Sequence, residues 1–172
     1  MTAKPNATSP PDETTLELRR VFDATPEALF DAWTRREEWA AWIGPEGITC
    51  EVPLLEPKVG GRYEVTMRLA NGQVIPVSGV FRTIERPTRL VFSWGWNGDP
   101  LRQSLITLEF TARGSRTELL LRQEGLGTVA NRDDHAKGWN SALNKLEGYL
   151  ALPLHSGQSG VSESPTGERT FP

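Results

Sequence analysis

One long amphipathic segment arrives at the end of the strand-rich part of this chain, and it limits what everything before it can build. Within Gly138–Leu150, the residues Trp139, Ala142, Leu143, Leu146 and Leu150 recur at the three- and four-residue spacing of a single helical face. Asn140, Asn144, Lys145 and Glu147 fall on the side left for water. A lone helix with an apolar stripe needs a surface to lie on, and the strands that precede it must supply a curved sheet. A sheet that grips one helix commonly leaves a cavity between the two, so the pattern predicts an α+β container for a small molecule.

Six strand-like segments come before that helix, near 48–55, 61–69, 73–85, 89–97, 103–112 and 115–124. They are separated by Gly60-Gly61, Asn71-Gly72, Arg86-Pro87, Asn97-Gly98 and Gly114-Ser115, whose tightness predicts antiparallel neighbours. Strict alternation assigns faces. Tyr63, Val65 and Met67 point one way and the polar residues between them the other; Ile106, Leu108 and Phe110 do the same, as do Leu119 and Leu121. Leu90, Phe92, Trp94 and Trp96 share one parity, an aromatic load beyond ordinary strand packing, which marks the two tryptophans as pocket-wall candidates.

At the other end, Leu16–Phe22 reads as a first, edge-exposed strand. Thr25-Pro26-Glu27 then opens a helix: the threonine caps, the proline occupies the first helical position where its missing N–H costs nothing, and the glutamate favours the positive end. Ala28, Leu29, Ala32 and Trp33 give that helix its apolar face. Thr34-Arg35-Arg36-Glu37 matches a capping box, predicting a second short helix through Trp39 to about Ile43, stopped by Gly44-Pro45. Asn131 to Asp134 provide caps and acidic charge for the start of the closing helix.

At 172 residues the chain has room for one domain with tails. Residues 1–13 and 153–172 are rich in Pro, Ser, Thr and Gly and cannot bury enough surface to offset their ordering entropy, so both read as flexible tails around a domain over 14–152. A net charge of -3 without a basic run argues against nucleic acid as a partner. No uncharged apolar run of about 18 residues and no secretory leader is visible, which excludes a membrane partner and, with one cysteine, points to the cytoplasm.

Few residues carry chemistry. His135, beside Asp133 and Asp134, could act as a general base, but helix-start charge explains the acids more simply. Cys50 lacks any neighbour that would lower its pKa and reads as buried filler. Metal binding lacks a second soft or imidazole ligand, so no metal site is expected, and no cofactor is implied. Gly60-Gly61 is a turn, not a phosphate loop. Gly138 costs up to about 1 kcal/mol inside a helix, which asks for close packing or for room beside a ligand, with packing preferred.

Taken in order, Arg20–Glu27, Phe30–Thr34, Trp42–Pro45, Gly60–Tyr63, Gly79–Phe81, Leu90–Trp94, Ser104–Leu108 and Gly138-Trp139 resemble the activator of heat-shock protein 90 ATPase-like family, within the START-like superfamily of helix-grip proteins. The resemblance covers about residues 16 to 151. It implies a helix-grip fold: a curved antiparallel sheet of six to seven strands wrapped around a long C-terminal helix, with two short helices after the first strand and a cavity inside. It also makes a homodimer a possible partner on family grounds. A chaperone is left as a possible partner ranked below a small ligand, because the chain has no length for the companion domain of the co-chaperone type.

Three functions are then open. The first is binding of a small apolar or aromatic ligand. Its walls would come from Trp42, Tyr63, Met67 and Phe81, from Trp94, Trp96 and Ile106, and from Leu119, Leu121 and Trp139, with Gln123 and Asn140 or Ser104 orienting the ligand. The second, resting on START-like relatives, is a cyclase- or hydratase-like enzyme for aromatic or polyketide-type substrates, with His135 or Glu51 supplying the acid or base. The third is a chaperone-associated interaction module using strand edges and exposed aromatic residues near Trp39 and Trp42.

Overall fold

The computed structural model describes residues 13–152. The tails expected over 1–13 and 153–172 lie, apart from Glu13, outside the described residues; the Glu13 carbonyl accepts a hydrogen bond from Arg132 Nη1. The elements are β1 (Leu16–Phe22), α1 (Pro26–Thr34), α2 (Arg36–Trp42), β2 (Thr49–Leu55), β3 (Arg62–Arg68), β4 (Val74–Glu85), β5 (Arg89–Trp96), β6 (Gln103–Arg113), β7 (Arg116–Glu124) and α3 (Val129–Leu150). A 3-10 turn, Pro100–Arg102, joins β5 to β6.

All seven strands form one antiparallel sheet in the order β1-β7-β6-β5-β4-β3-β2. The tight turns explain the run from β2 to β7, where each strand pairs with the one before it. β1 is the exception and adds to the far edge beside β7, with Leu18 opposite Leu121. The alternation read from the sequence sets the inner face: Tyr63, Val65, Leu90, Phe92, Ile106 and Leu121 are all buried. On β7 the same parity takes Thr117 and Gln123 inward with Leu119 and Leu121.

α3 lies across this face, and polar contacts hold it on both sides. From the β1 edge, Arg20 donates to Asn144 Oδ1 at 2.8 Å and Asn140 Oδ1 at 3.3 Å. On the other side, Lys145 Nζ donates to the carbonyls of Ile43, Pro45 and Ile48 at 3.1 to 3.4 Å. Asn140, Asn144 and Glu147 are exposed as the helical pattern predicts, but Lys145 is half-buried, because the 43–48 loop turns its carbonyls toward it. That burial lowers the Lys145 pKa.

Two helix starts differ from expectation. α1 begins as predicted, with Thr25 Oγ1 accepting from Ala28 N at 3.1 Å. Thr34, however, is still the last helical residue of α1, and its hydroxyl donates back to the Phe30 carbonyl at 3.2 Å instead of capping α2, so no capping box forms. α3 starts at Val129, one turn before the expected Asn131–Asp134 caps, because Thr128 accepts from Asn131 N at 3.0 Å. Asp133 and Asp134 therefore stand beyond the first turn, and Asp133 pairs with Arg132 at 2.8 Å.

Trp39 and Trp42, expected to be near an exposed aromatic surface, are 1% and 0% exposed. α2 turns them into the core: Trp42 donates to the Ala32 carbonyl at 3.0 Å, and Trp39 meets Tyr63 edge-on at 5.1 Å. The interaction-module reading thereby loses the aromatic surface it needed.

Candidate functional site

The inner face is not filled completely. Where the N-terminal half of α3 passes over the ends of β3, β4 and β5, an open cleft of about 510 Å³ remains. Its floor is apolar, with Met67, Ile75, Trp94, Trp139 and Ala142 from sheet and helix and Ile43 and Ile48 from the loop after α2. Its mouth is polar, formed by Gln73, Asn97, Arg102, Asn131, Asp134 and His135. Gly138 stands between them; a Cβ built there would meet only Pro45 Cγ, at 3.9 Å, so the glycine leaves room in the cleft and is not forced by close packing.

The aromatic wall is built in steps. Trp94 and Trp139 lie 5.2 Å apart between ring centres, and Trp96 meets Trp94 nearly perpendicularly at 5.8 Å. Trp139 is fixed by donating to Gln123 Oε1 at 2.8 Å; Gln123 Nε2 donates to Ser104 Oγ at 2.8 Å, and Ser104 donates to the Trp94 carbonyl at 3.2 Å. Gln123 and Ser104 thus spend their polar atoms positioning the wall. The Trp94 indole N–H is buried without a partner among the described residues, a state shared by Trp33 and Trp39 away from the cleft, so it reflects dense aromatic packing and is no marker of the site.

Of the predicted wall residues, the structure brings Met67, Trp94, Trp96 and Trp139 to the cleft. Trp42, Tyr63, Phe81, Ile106, Leu119 and Leu121 lie in the surrounding core, and Tyr63 donates to the Ser93 carbonyl at 2.6 Å. Asn140 faces Arg20 on the outside. Sequence reasoning missed the Ile43–Ile48 loop, Ile75, Ala142 and Arg102. Ala142 was legible on the helical face; the loop and Arg102 carried no periodic signal at all.

His135 has both nitrogens engaged. Trp96 Nε1 donates to His135 Nε2 at 3.0 Å, and His135 Nδ1 stands 2.8 Å from the Asn131 carbonyl, an arrangement that requires the proton on Nδ1. Burial lowers the His135 pKa and the nearby Arg102 charge acts in the same direction, while Asn131 and Asp134 oppose them. The imidazole is therefore neutral and offers no free lone pair. Glu51 lies on β2 and pairs with Arg68 at 3.1 Å, away from the cleft. Cys50 is pushed up to about 11 by burial, which suits filler and not a nucleophile.

The His135 geometry has a pH consequence. Above the usual imidazole range, ~6.5, His135 is neutral in both folded and unfolded chains. As pH falls through that value the unfolded chain takes up a proton that the folded site refuses, so stability drops until the folded site also protonates. Thermal melts from pH 8 to 5 should show a lower midpoint at acid pH, with a smaller decline in His135→Gln. Equal slopes in both proteins would rule out this coupling.

A seven-stranded antiparallel sheet closed over one C-terminal helix, with an open apolar cleft between them, defines a helix-grip α+β protein. Residues 23–151 match the family described as Activator of Hsp90 ATPase homolog 1-like protein, and the chain belongs to that family. The AHSA1 protein of Silicibacter pomeroyi is 30% identical with a TM-score of 0.71, the match covering 80% of this chain and 97% of that one. A protein from Chromobacterium violaceum is 25% identical with a TM-score of 0.74, covering 78% and 95%. A protein from Arthrobacter aurescens, 20% identical with a TM-score of 0.75 over 85% and 92% of the two chains, shares the fold. No curated protein matches the chain. No helix among the described residues is long and apolar enough to cross a membrane.

Proposed function

We propose that this protein binds a small, largely apolar or aromatic molecule in the cleft between α3 and strands β3 to β5. The observation that carries this reading is the cleft itself: about 510 Å³, within the range of small-molecule sites, with a floor of broad apolar side chains and a short polar mouth. Family membership supports a ligand-binding type of fold. Binding without chemistry is favoured over the cyclase- or hydratase-like alternative, because His135 spends both nitrogens inside the protein and Glu51 lies elsewhere.

Gly138→Leu tests the site. The position has ordinary helical space, so the variant should fold at least as well as the parent, gaining up to about 1 kcal/mol in helix propensity. Its side chain would occupy the cleft. Native mass spectrometry of freshly purified protein, with tryptophan fluorescence titrations against an apolar ligand panel, should show binding by the parent that falls at least tenfold in the variant. Equal binding by both proteins would place the ligand outside the cleft and refute the reading.

A further inference from the structure

The cleft's mouth is chemically lopsided. Among the described residues lining the cleft, Arg102 is the one cation and Asp134 the one anion. The Arg102 guanidinium has no hydrogen-bond or ion-pair partner among the described residues, although Asp134 lines the same mouth. An unpaired arginine on an open surface is ordinary, since water solvates it. Arg102 differs because its backbone is held at the rim of an apolar cavity. It ends a 3-10 turn whose first residues are tied by Asp99: Oδ1 accepts from Leu101 N at 2.9 Å, and the Asp99 carbonyl accepts from Arg102 N at 3.0 Å.

Neighbouring groups add donors. Asn97 stands just before that turn, in the left-handed region with φ 54°, the one non-glycine residue with positive φ among the described residues. Gln73 reaches the same mouth from the β3–β4 hairpin. Asn131 Nδ2, Trp96 and His135 are already engaged within the protein. Asn131 Nδ2 donates to the Leu126 carbonyl at 2.9 Å, Trp96 Nε1 donates to His135, and His135 uses both nitrogens. Asp134 belongs to α3, which carries Lys137 one turn on, while Arg102, Asn97 and Gln73 belong to the sheet side.

Resting on the cleft reading above, we propose that the ligand is a monoanionic apolar acid, its aromatic or aliphatic body on Met67, Trp94 and Trp139 and its carboxylate on the Arg102 guanidinium. A planar guanidinium matches a carboxylate with two parallel charge-assisted hydrogen bonds, and the apolar cleft beside it strengthens the pairing relative to open water. Asn97 and Gln73 offer the remaining donors. A single charge fits: one cation faces the head group, and a dianionic phosphate would bring a second negative charge toward Asp134 without a second cation to meet it.

The test is a matched series on one body: 2-naphthylacetic acid, its primary amide and 2-(2-naphthyl)ethylamine, titrated by calorimetry and tryptophan fluorescence at low salt. The acid should bind at least tenfold tighter than the amide, and its affinity should fall with added salt while the amide's does not. Arg102→Gln should bring the acid down to the amide's level, leave the amide unchanged and leave the melting midpoint unchanged, since the side chain is exposed. Arg102→Lys should recover part of the loss. Acid and amide binding equally, tightest binding by the amine, or equal loss of both acid and amide in Arg102→Gln would each overturn the acid assignment while leaving the cleft reading standing. Binding of all three unchanged by Gly138→Leu would instead overturn the cleft reading, and this inference with it.

Discussion

Trp33→Ala should lower the free energy of unfolding by about 3–5 kcal/mol, a large part of the roughly 5–15 kcal/mol that holds a domain of this size together. Trp33 is 1% exposed and stands where three layers meet. Its ring centre lies 4.6 Å from Trp42 of α2, 5.8 Å from Trp139 of α3 and 6.3 Å from Phe92 of β5. Deleting it removes apolar burial and leaves a cavity whose walls belong to different elements and cannot all collapse inward. Trp33→Phe should cost much less, because a ring remains and the indole N–H it removes has no partner among the described residues. Urea unfolding of the three proteins measures this; a loss below about 1 kcal/mol in the alanine variant would show that Trp33 does not anchor the core.

Gly79→Ala should be comparably damaging, by about 3 kcal/mol or more. Gly79 lies within β4, opposite Tyr63 on β3. A Cβ there would be driven into the Ser93 carbonyl oxygen and would come within 2.6 Å of a Tyr63 ring carbon. That oxygen also accepts the Tyr63 hydroxyl hydrogen bond at 2.6 Å, and Tyr63 is fully buried. The added methyl group therefore strains a strand pairing and threatens a buried hydrogen bond together. Soluble expression and a denaturation midpoint near the parent's would contradict this. Gly72→Ala offers a contrast: open space surrounds that position, so its cost is limited to adopting a φ of 90°.

These two positions show different degrees of legibility. Trp33 could be assigned to a buried helical face because its spacing relative to Leu29 and Ala32 is a local property of α1. Gly79 resembles any other glycine in a strand; its constraint comes from Tyr63 and Ser93, which reach it through neighbouring strands. The helix starts show the same division at short range. Thr25 and Thr34 are both plausible caps by sequence, but only Thr25 has the extended backbone of a cap, because α1 runs on through Thr34.

At the cleft, alternation alone was enough to turn Trp94 inward and the helical repeat enough to turn Trp139 toward the sheet, since both follow from periodicities of two and 3.6 residues. Those periodicities equally pointed Tyr63, Phe81, Ile106, Leu119 and Leu121 inward, and could not separate core from cavity wall. That separation depends on where α3 crosses the sheet, which is set by the Arg20 contacts at one edge and the Lys145 contacts with the 43–48 loop at the other. The β2-to-β7 strand order, the inner face and the closing helix follow from patterns between near neighbours in the chain, whereas the place of β1 beside β7 does not. The position of the gap, the engagement of His135 by Trp96 and the placement of Arg102 at the mouth arise from contacts between distant residues, which no local repeat encodes.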